Sequence, residues 1–128
     1  LDGGTAYVYL IYGMYKCLNA VTGEEGDPCA VLIRGGEILD GIEKASMLRY
    51  GLPFSKLDNA RVKNMANGPG KLCKAMDISM GHNKKPLFGE KFYIFDDGTN
   101  FKIGEGKRIN IDYAMEDKDK PWRFFKIQ

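Results

Sequence analysis

Aromatic and β-branched residues crowd the start of the chain, where 5–12 and 15–21 form two runs separated only by Gly13 and Met14. Two such runs around a two-residue, glycine-bearing turn predict a β-hairpin whose tip reads Tyr12, Gly13, Met14, Tyr15. A polar, glycine-bearing loop over 22–28 leads into 29–34 (CAVLIR), a continuous apolar run suited to a strand buried on both faces. Over 38–50 the apolar positions Ile38, Ile42, Ala45 and Leu48 recur at helical spacing, and Gly51 followed by Pro53 stops the pattern, which predicts one amphipathic helix. A short second helix is expected over 55–62. A third is expected over 71–76, with Asn67 or Gly68 as its cap and Pro69 near its first turn. The pattern then turns extended, with strands predicted at 91–95, 101–103, 107–111 and 122–127. Asp96, Asp97 and Gly98 make a turn between the first two of these strands, and 116–120 reads as a solvated loop.

Length and composition narrow the class. The 128 residues are about one domain's worth of chain, and 44% apolar with 28% charged residues suits a globular domain with a real core. No apolar run approaches the roughly 20 residues of a membrane-spanning helix, since the longest candidate, 8–14, is broken by Tyr9, Tyr12 and Gly13. A net charge of +2 says nothing for or against a nucleic-acid partner, because a balanced total can hide a basic face. Cys17, Cys29 and Cys73 are odd in number and irregularly spaced, which fits reduced thiols in an intracellular protein better than a disulfide framework. No basic, then hydrophobic, leader precedes the first strand, so no signal peptide is expected, and the chain, opening on Leu1, is expected to begin within a longer protein.

The densest anomaly is the first hairpin. Four of the seven tyrosines (Tyr7, Tyr9, Tyr12, Tyr15) lie within fifteen residues, and Lys16 is the sole charge between Gly3 and Gly23. Two readings stand: a hairpin at the centre of the core, since aromatics are ordinary strand residues, or a hairpin whose tip meets a partner, since large apolar side chains around a surface turn are unfavourable unless something receives them. Apolar wedges on a β-element are one way proteins enter a DNA minor groove and part a base step. Metal binding is not expected, because the three cysteines and His82 lack the short spacing of a zinc site, and His82 reads as a solvent-facing loop residue. The string Asn67, Gly68, Pro69, Gly70, Lys71 suits either a plain helix cap or a phosphate contact through Gly68, Gly70 and Lys71, without the spacing of a Walker A loop. Arg34 ends an apolar strand just before Gly35 and Gly36, where a fixed cation could face a cleft or make a surface ion pair.

Taken in order along nearly the whole chain, YVYLIYGMYKCLN (7–19), CAVLIR (29–34), NGPGKLCKA (67–75), RINIDY (108–113) and PWRFF (121–125) resemble the alkyladenine (3-methyladenine) DNA glycosylases. The resemblance implies a mixed α/β (α+β) fold in a single domain over 1–128, with a curved antiparallel sheet, a protruding β-hairpin and short flanking helices. It implies base-excision repair by a monofunctional, metal-free and cofactor-free monomer that flips alkylated or deaminated purines (3-methyladenine type, hypoxanthine) out of double-stranded DNA and hydrolyses the N-glycosidic bond. The location would be cytoplasmic and nucleoid-associated in a bacterium, or nuclear in a eukaryote.

Residue by residue, Tyr12 matches the family's intercalating tyrosine, with Met14 and Tyr15 beside it in the minor groove. Tyr9 matches a tyrosine that stacks on the flipped base, and Asn19 an asparagine that crowds the exocyclic amino group of guanine. Arg34 matches an arginine near the reactive water and its carboxylate, and Ile111 a residue whose main-chain carbonyl lies at the pocket floor. The family's general-base glutamate, a second stacking tyrosine and a pocket histidine come from a segment upstream of the first strand, and no glutamate here matches. The 128 residues alone are therefore expected to be inactive or nearly so. Gly35-Gly36-Glu37-Ile38 and Asp112 depart from the family's pattern, Ala-x-Glu-Pro after the arginine and often glycine after the position of Ile111. The rival expectation is a non-catalytic DNA-binding or structural module that keeps the intercalating hairpin.

Overall fold

The computed structural model describes residues 1–26, 29–107 and 120–127. Helices and antiparallel strands are mixed, as expected of an α+β chain, and contacts gather into two compact units, Leu1–Ile94 and Phe95–Gln128.

In the first unit β1 (Ala6–Ile11) pairs antiparallel with β2 (Tyr15–Thr22), and β2 pairs antiparallel with β3 (Cys29–Leu32), so β2 is central. The far edge of β1 is closed by a loop instead of a strand. Ala6 N–H donates to the Lys85 carbonyl at 2.8 Å, Lys84 N–H returns to the Ala6 carbonyl at 2.8 Å, and Val8 N–H donates to Asn83 Oδ1 at 2.9 Å. Because side chains alternate along a strand, Ala6 and Val8 of β1 and Leu18 of β2 reach one face, where they form a core with Cys73, Ile78 and Leu87.

Three helices follow: α1 (Ile42–Tyr50), α2 (Asn59–Lys63) and α3 (Pro69–Ala75). Leu72 and Ala75 of α3 pack with Ala45 of α1 and with Met65 and Ala66 in a second core, while Cys73 of the same helix belongs to the first. Helix α3 thus joins both cores, and burying a side chain such as Leu72 contributes about 1.5–3 kcal/mol. In the second unit β4 (Ile103–Gly106) pairs antiparallel with β5 (Arg123–Lys126). The Phe125 ring lies on Gly104, where a Cβ would collide with it.

Several elements differ from expectation. The first strand ends at Ile11, leaving Tyr12 in the turn. The 29–34 run makes only a four-residue edge strand, with Cys29 and Ala30 exposed and Val31 53% exposed, because β2 takes the central place and covers one edge only. Helix α1 starts at Ile42, four residues late, because Gly41 sits at φ 72°, left-handed backbone that a right-handed helix cannot include. The 55–62 segment divides into a 3₁₀ turn at Phe54–Lys56 and α2, whose first turn is capped by Asp58 accepting from Arg61 N–H at 2.8 Å. The 91–95 segment is no strand: it folds back with one bridge, Tyr93 to Phe88, plus Ile94 N–H to the Leu87 carbonyl at 2.9 Å. The strand expected at 101–103 instead occupies Ile103–Gly106, and that at 122–127 is β5. Of the strand expected at 107–111, all but Lys107 falls outside the described residues, as does most of the 116–120 loop. Asp96 and Asp97 do form a local turn, accepting from Gly98 N–H at 2.8 Å and Thr99 N–H at 2.9 Å. Among the described residues no helix is long and apolar enough to cross a membrane.

Candidate functional site

The hairpin divides into a buried body and an exposed tip. Ala6, Val8, Cys17 and Leu18 are buried, whereas Tyr12 is 89% exposed, Met14 73% and Tyr15 55%. The core reading therefore describes the inward side chains of the strands and the surface reading the turn. Ile11 pairs with Tyr15 across a three-residue loop, and the Ile11 carbonyl accepts from Met14 N–H at 3.1 Å. Both central residues of that turn have positive φ, 54° at Tyr12 and 67° at Gly13, as in a type I′ turn. Glycine adopts this backbone freely. A bulky residue does so at roughly 1–2 kcal/mol, so Tyr12 holds its ring in solvent on strained backbone.

The face of the sheet away from the first core carries Tyr7, Tyr9, Cys17 and Asn19, since Tyr7 pairs with Asn19 and Tyr9 with Cys17. The Tyr7 and Tyr9 rings meet edge to face, centroids 5.2 Å apart at 61°. Asn19 is buried, and its Nδ2 donates to the Tyr7 carbonyl at 3.3 Å, which fixes the amide against β1. Tyr9 and Asn19, expected to serve one base pocket, are thus on one face. Tyr7, which carries no expected site role, shares that face, and its i, i+2 spacing from Tyr9 in a strand is the signal for it.

Arg34 lies just beyond β3, half-buried, with no ion pair or hydrogen bond to its side chain among the described residues. Gly35 and Gly36 after it run against the backbone before α3: Gly36 N–H donates to the Ala66 carbonyl at 3.0 Å, and a Cβ on Gly35 would stand 2.9 Å from that same oxygen. Gly68 caps α3 in extended conformation with Pro69 in the first turn. Lys71 is exposed, its Nζ donating to Asn67 Oδ1 at 3.1 Å, and Asn67 donates in turn to Asn64 Oδ1 at 2.7 Å. The first turn of α3 also meets Tyr15 at the base of the hairpin tip. Ile111 lies outside the described residues.

Other candidates take structural places. Cys17 and Cys73 are buried free thiols, and burial pushes both above the ordinary thiol pKa, with the neighbouring Cys17 adding to the effect on Cys73. Neither is poised as a nucleophile, which needs thiolate at neutral pH. Cys29 is free and exposed. His82 is not a solvent-facing loop residue: it is half-buried in a 3₁₀ turn, its Nδ1 accepts from Ser79 N–H at 3.0 Å, and its ring tilts against Phe92 at 4.8 Å. Among the described residues no three His, Cys, Asp or Glu side chains gather as a metal would need.

The family model of methylpurine-DNA glycosylase matches residues 1–128. A protein named "Putative 3-methyladenine DNA glycosylase" in Alkaliphilus oremlandii is 52% identical over 123 residues, 95% of this chain and 61% of that protein. Proteins of the same name from Clostridium tetani (52% over 124 residues, 95% of this chain and 61% of that one) and Clostridioides difficile (48% over 136 residues, 98% and 67%) are similarly close. The chain spans about three fifths of the length of the first two relatives. By its match from first residue to last, the chain belongs to the methylpurine-DNA glycosylase family.

Proposed function

We propose that the protein serves base-excision repair as a DNA glycosylase, flipping alkylated or deaminated purines out of duplex DNA and releasing them by hydrolysis. The observation that carries this reading is the Tyr12 ring, 89% exposed at the end of a hairpin whose strands contribute Ala6, Val8, Cys17 and Leu18 to the interior. Flipping a nucleotide takes a few kcal/mol, least for a damaged pair, and an inserted ring offsets it by holding the vacated gap. Met14 and Tyr15 line the minor groove beside it, and Lys71 meets phosphate, with Gly68 and Gly70 allowing close approach of the backbone.

Tyr9 supplies the stacking face for the flipped base. A purine alkylated at a ring nitrogen is cationic, so a tyrosine face favours it over a neutral base by about 0.5–2 kcal/mol. Asn19, its amide held by the Tyr7 carbonyl, crowds a 2-amino group and so turns guanine away. Arg34 stabilises charge near the attacking water, and the Ile111 carbonyl lies at the pocket floor. Hydrolysis needs a carboxylate to activate that water, as at other glycosidic bonds. No glutamate of these 128 residues matches the role, so the chain by itself binds damaged DNA and releases base slowly or not at all. The protein acts as a monomer without metal or cofactor, in the cytoplasm with the nucleoid.

Binding to a duplex with an abasic site, compared with an undamaged duplex, tests the reading. Tyr12→Ala should lower the preference for the abasic duplex about 10- to 100-fold, on the scale of one base-ring stacking contact. An unchanged preference contradicts it. Steep base release by the unaided chain would contradict the missing-base proposal alone.

A further inference from the structure

The hairpin tip is not braced by β3, whose hydrogen bonding to β2 runs no nearer the tip than Leu18, where Ile33 N–H donates to the Leu18 carbonyl at 3.0 Å. At the Tyr15 end the neighbour is α3. At Gly70, the second residue of that helix, an added Cβ would stand 3.1 Å from Tyr15 Cδ1 and 3.3 Å from Tyr15 Cβ, closer than ordinary van der Waals contact. Gly70 has no backbone need for glycine, since its φ is not positive. The missing side chain therefore answers to the ring. The helix on the other side of this contact is held: Leu72, Cys73 and Ala75 are buried, and Gly36 N–H fixes the Ala66 carbonyl just ahead of it at 3.0 Å. If the two are pushed apart, the half-exposed ring must move and α3 must stay.

We propose that the first turn of α3 is the seat of the hairpin tip, with Gly70 a positioning residue that lets Tyr15 settle and so aims Tyr12. This rests on the reading of Tyr12 as a DNA-inserting ring. A rigid seat raises the fraction of tips already aimed at the duplex, and binding that depends on insertion scales with that fraction. Contacts to phosphate alone do not.

The test is the series Gly70→Ala and Gly70→Val in the full chain, alone and with Tyr15→Ala, each measured for the ratio of affinities for abasic and undamaged duplex and for thermal unfolding. Tyr12→Ala serves as the reference. Alanine is the better helix former, so a merely structural glycine predicts equal or higher stability with an unchanged ratio. The seat predicts the opposite in function: a ratio lowered about threefold by Gly70→Ala and tenfold or more by Gly70→Val, whereas a lost phosphate approach at Gly70 lowers both affinities in parallel and leaves the ratio unchanged. It also predicts no further loss when Gly70→Ala is added to Tyr15→Ala. An unchanged ratio, or losses that multiply in the double variant, overturns the seat while leaving Tyr12 insertion standing. A Tyr12→Ala protein that keeps its ratio overturns the insertion reading and the seat with it. If Gly70→Val fails to fold, the double variant with Tyr15→Ala decides: recovery of folding supports the contact, and continued failure overturns it.

Discussion

Among the described residues two antiparallel strand pairs, β1–β2 and β4–β5, show aromatic rings to solvent, and they differ in what lies against those rings. In β4–β5 exposure runs along the whole ribbon, at Ile103, Phe124 and Phe125. Its rings nevertheless have company: the Arg123 guanidinium is 4.9 Å from the Phe125 centroid, Lys126 Nζ is 5.6 Å from that of Phe101, and Phe125 lies over Gly104. In β1–β2 exposure rises from Tyr7 and Leu10, each under half exposed, to 89% at Tyr12 in the turn, whose ring stands on backbone at φ 54°. An exposed aromatic is an ordinary surface feature. One held outward at a conformational cost points to use.

That contrast can be broken most sharply at Tyr12. Tyr12→Ala should lower the preference for abasic duplex about 10- to 100-fold, and Phe125→Ala should leave it within twofold. Equal losses would mean that any exposed ring here contributes alike. Salt is the next lever: raising ionic strength should weaken binding of both variants in parallel, because phosphate contacts release counterions whichever ring is missing. A flat salt response would argue against any duplex partner.

Stability should respond in the reverse order. Tyr12→Gly removes the strain of a bulky residue at positive φ, and the gain, offset in part by the freer unfolded chain, is about 0.5–1 kcal/mol. Thermal unfolding should therefore rise by a few degrees while abasic preference falls. Phe125→Ala should lose about 0.5–1 kcal/mol with the cation–ring contact. A Tyr12→Gly protein that melts lower than the parent would show the tip to be held by packing and not strained.

The smallest expected effect concerns the buried body of β1–β2. Cys17 and Cys73 have folded pKa values raised by burial, so the fold favours the protonated thiols. Their contribution is intact below the ordinary thiol pKa of about 8.5 and is lost as pH rises through and beyond it, because the unfolded chain ionises first. Denaturant unfolding between pH 7.5 and 10 should show this decline, and Cys73→Ala should flatten it. A decline of equal slope in that variant would place its cause elsewhere.

Much of this was legible in the sequence, for reasons that vary by element. The first hairpin was visible because β-forming residues flank a glycine, and α3 because Gly68, Pro69 and a following apolar stripe give cap, first turn and buried face. The turn begins one residue earlier than the residue types predict, since an aromatic such as Tyr12 carries strand propensity and nothing local signals positive φ. The burial of 29–34 could not be read from its own letters, because edge or centre is decided by which strands pair, and β2 took the centre. The 91–95 run had strand composition without a strand beside it. Among candidate site residues, Tyr12 stands out by the density of tyrosine around a turn, and Tyr9 by the family resemblance of its strand. The hold of Tyr7 on Asn19 and of Gly70 on Tyr15 depends on register and helix placement, which spacing along the chain does not encode.

A crystal structure of the chain bound to a duplex containing a single abasic site tests the central claim most directly. The account predicts the Tyr12 ring between the base pairs flanking the lesion, entered from the minor groove, with Met14 and Tyr15 against the groove walls. A duplex bound with its stack closed and Tyr12 left in solvent would contradict it.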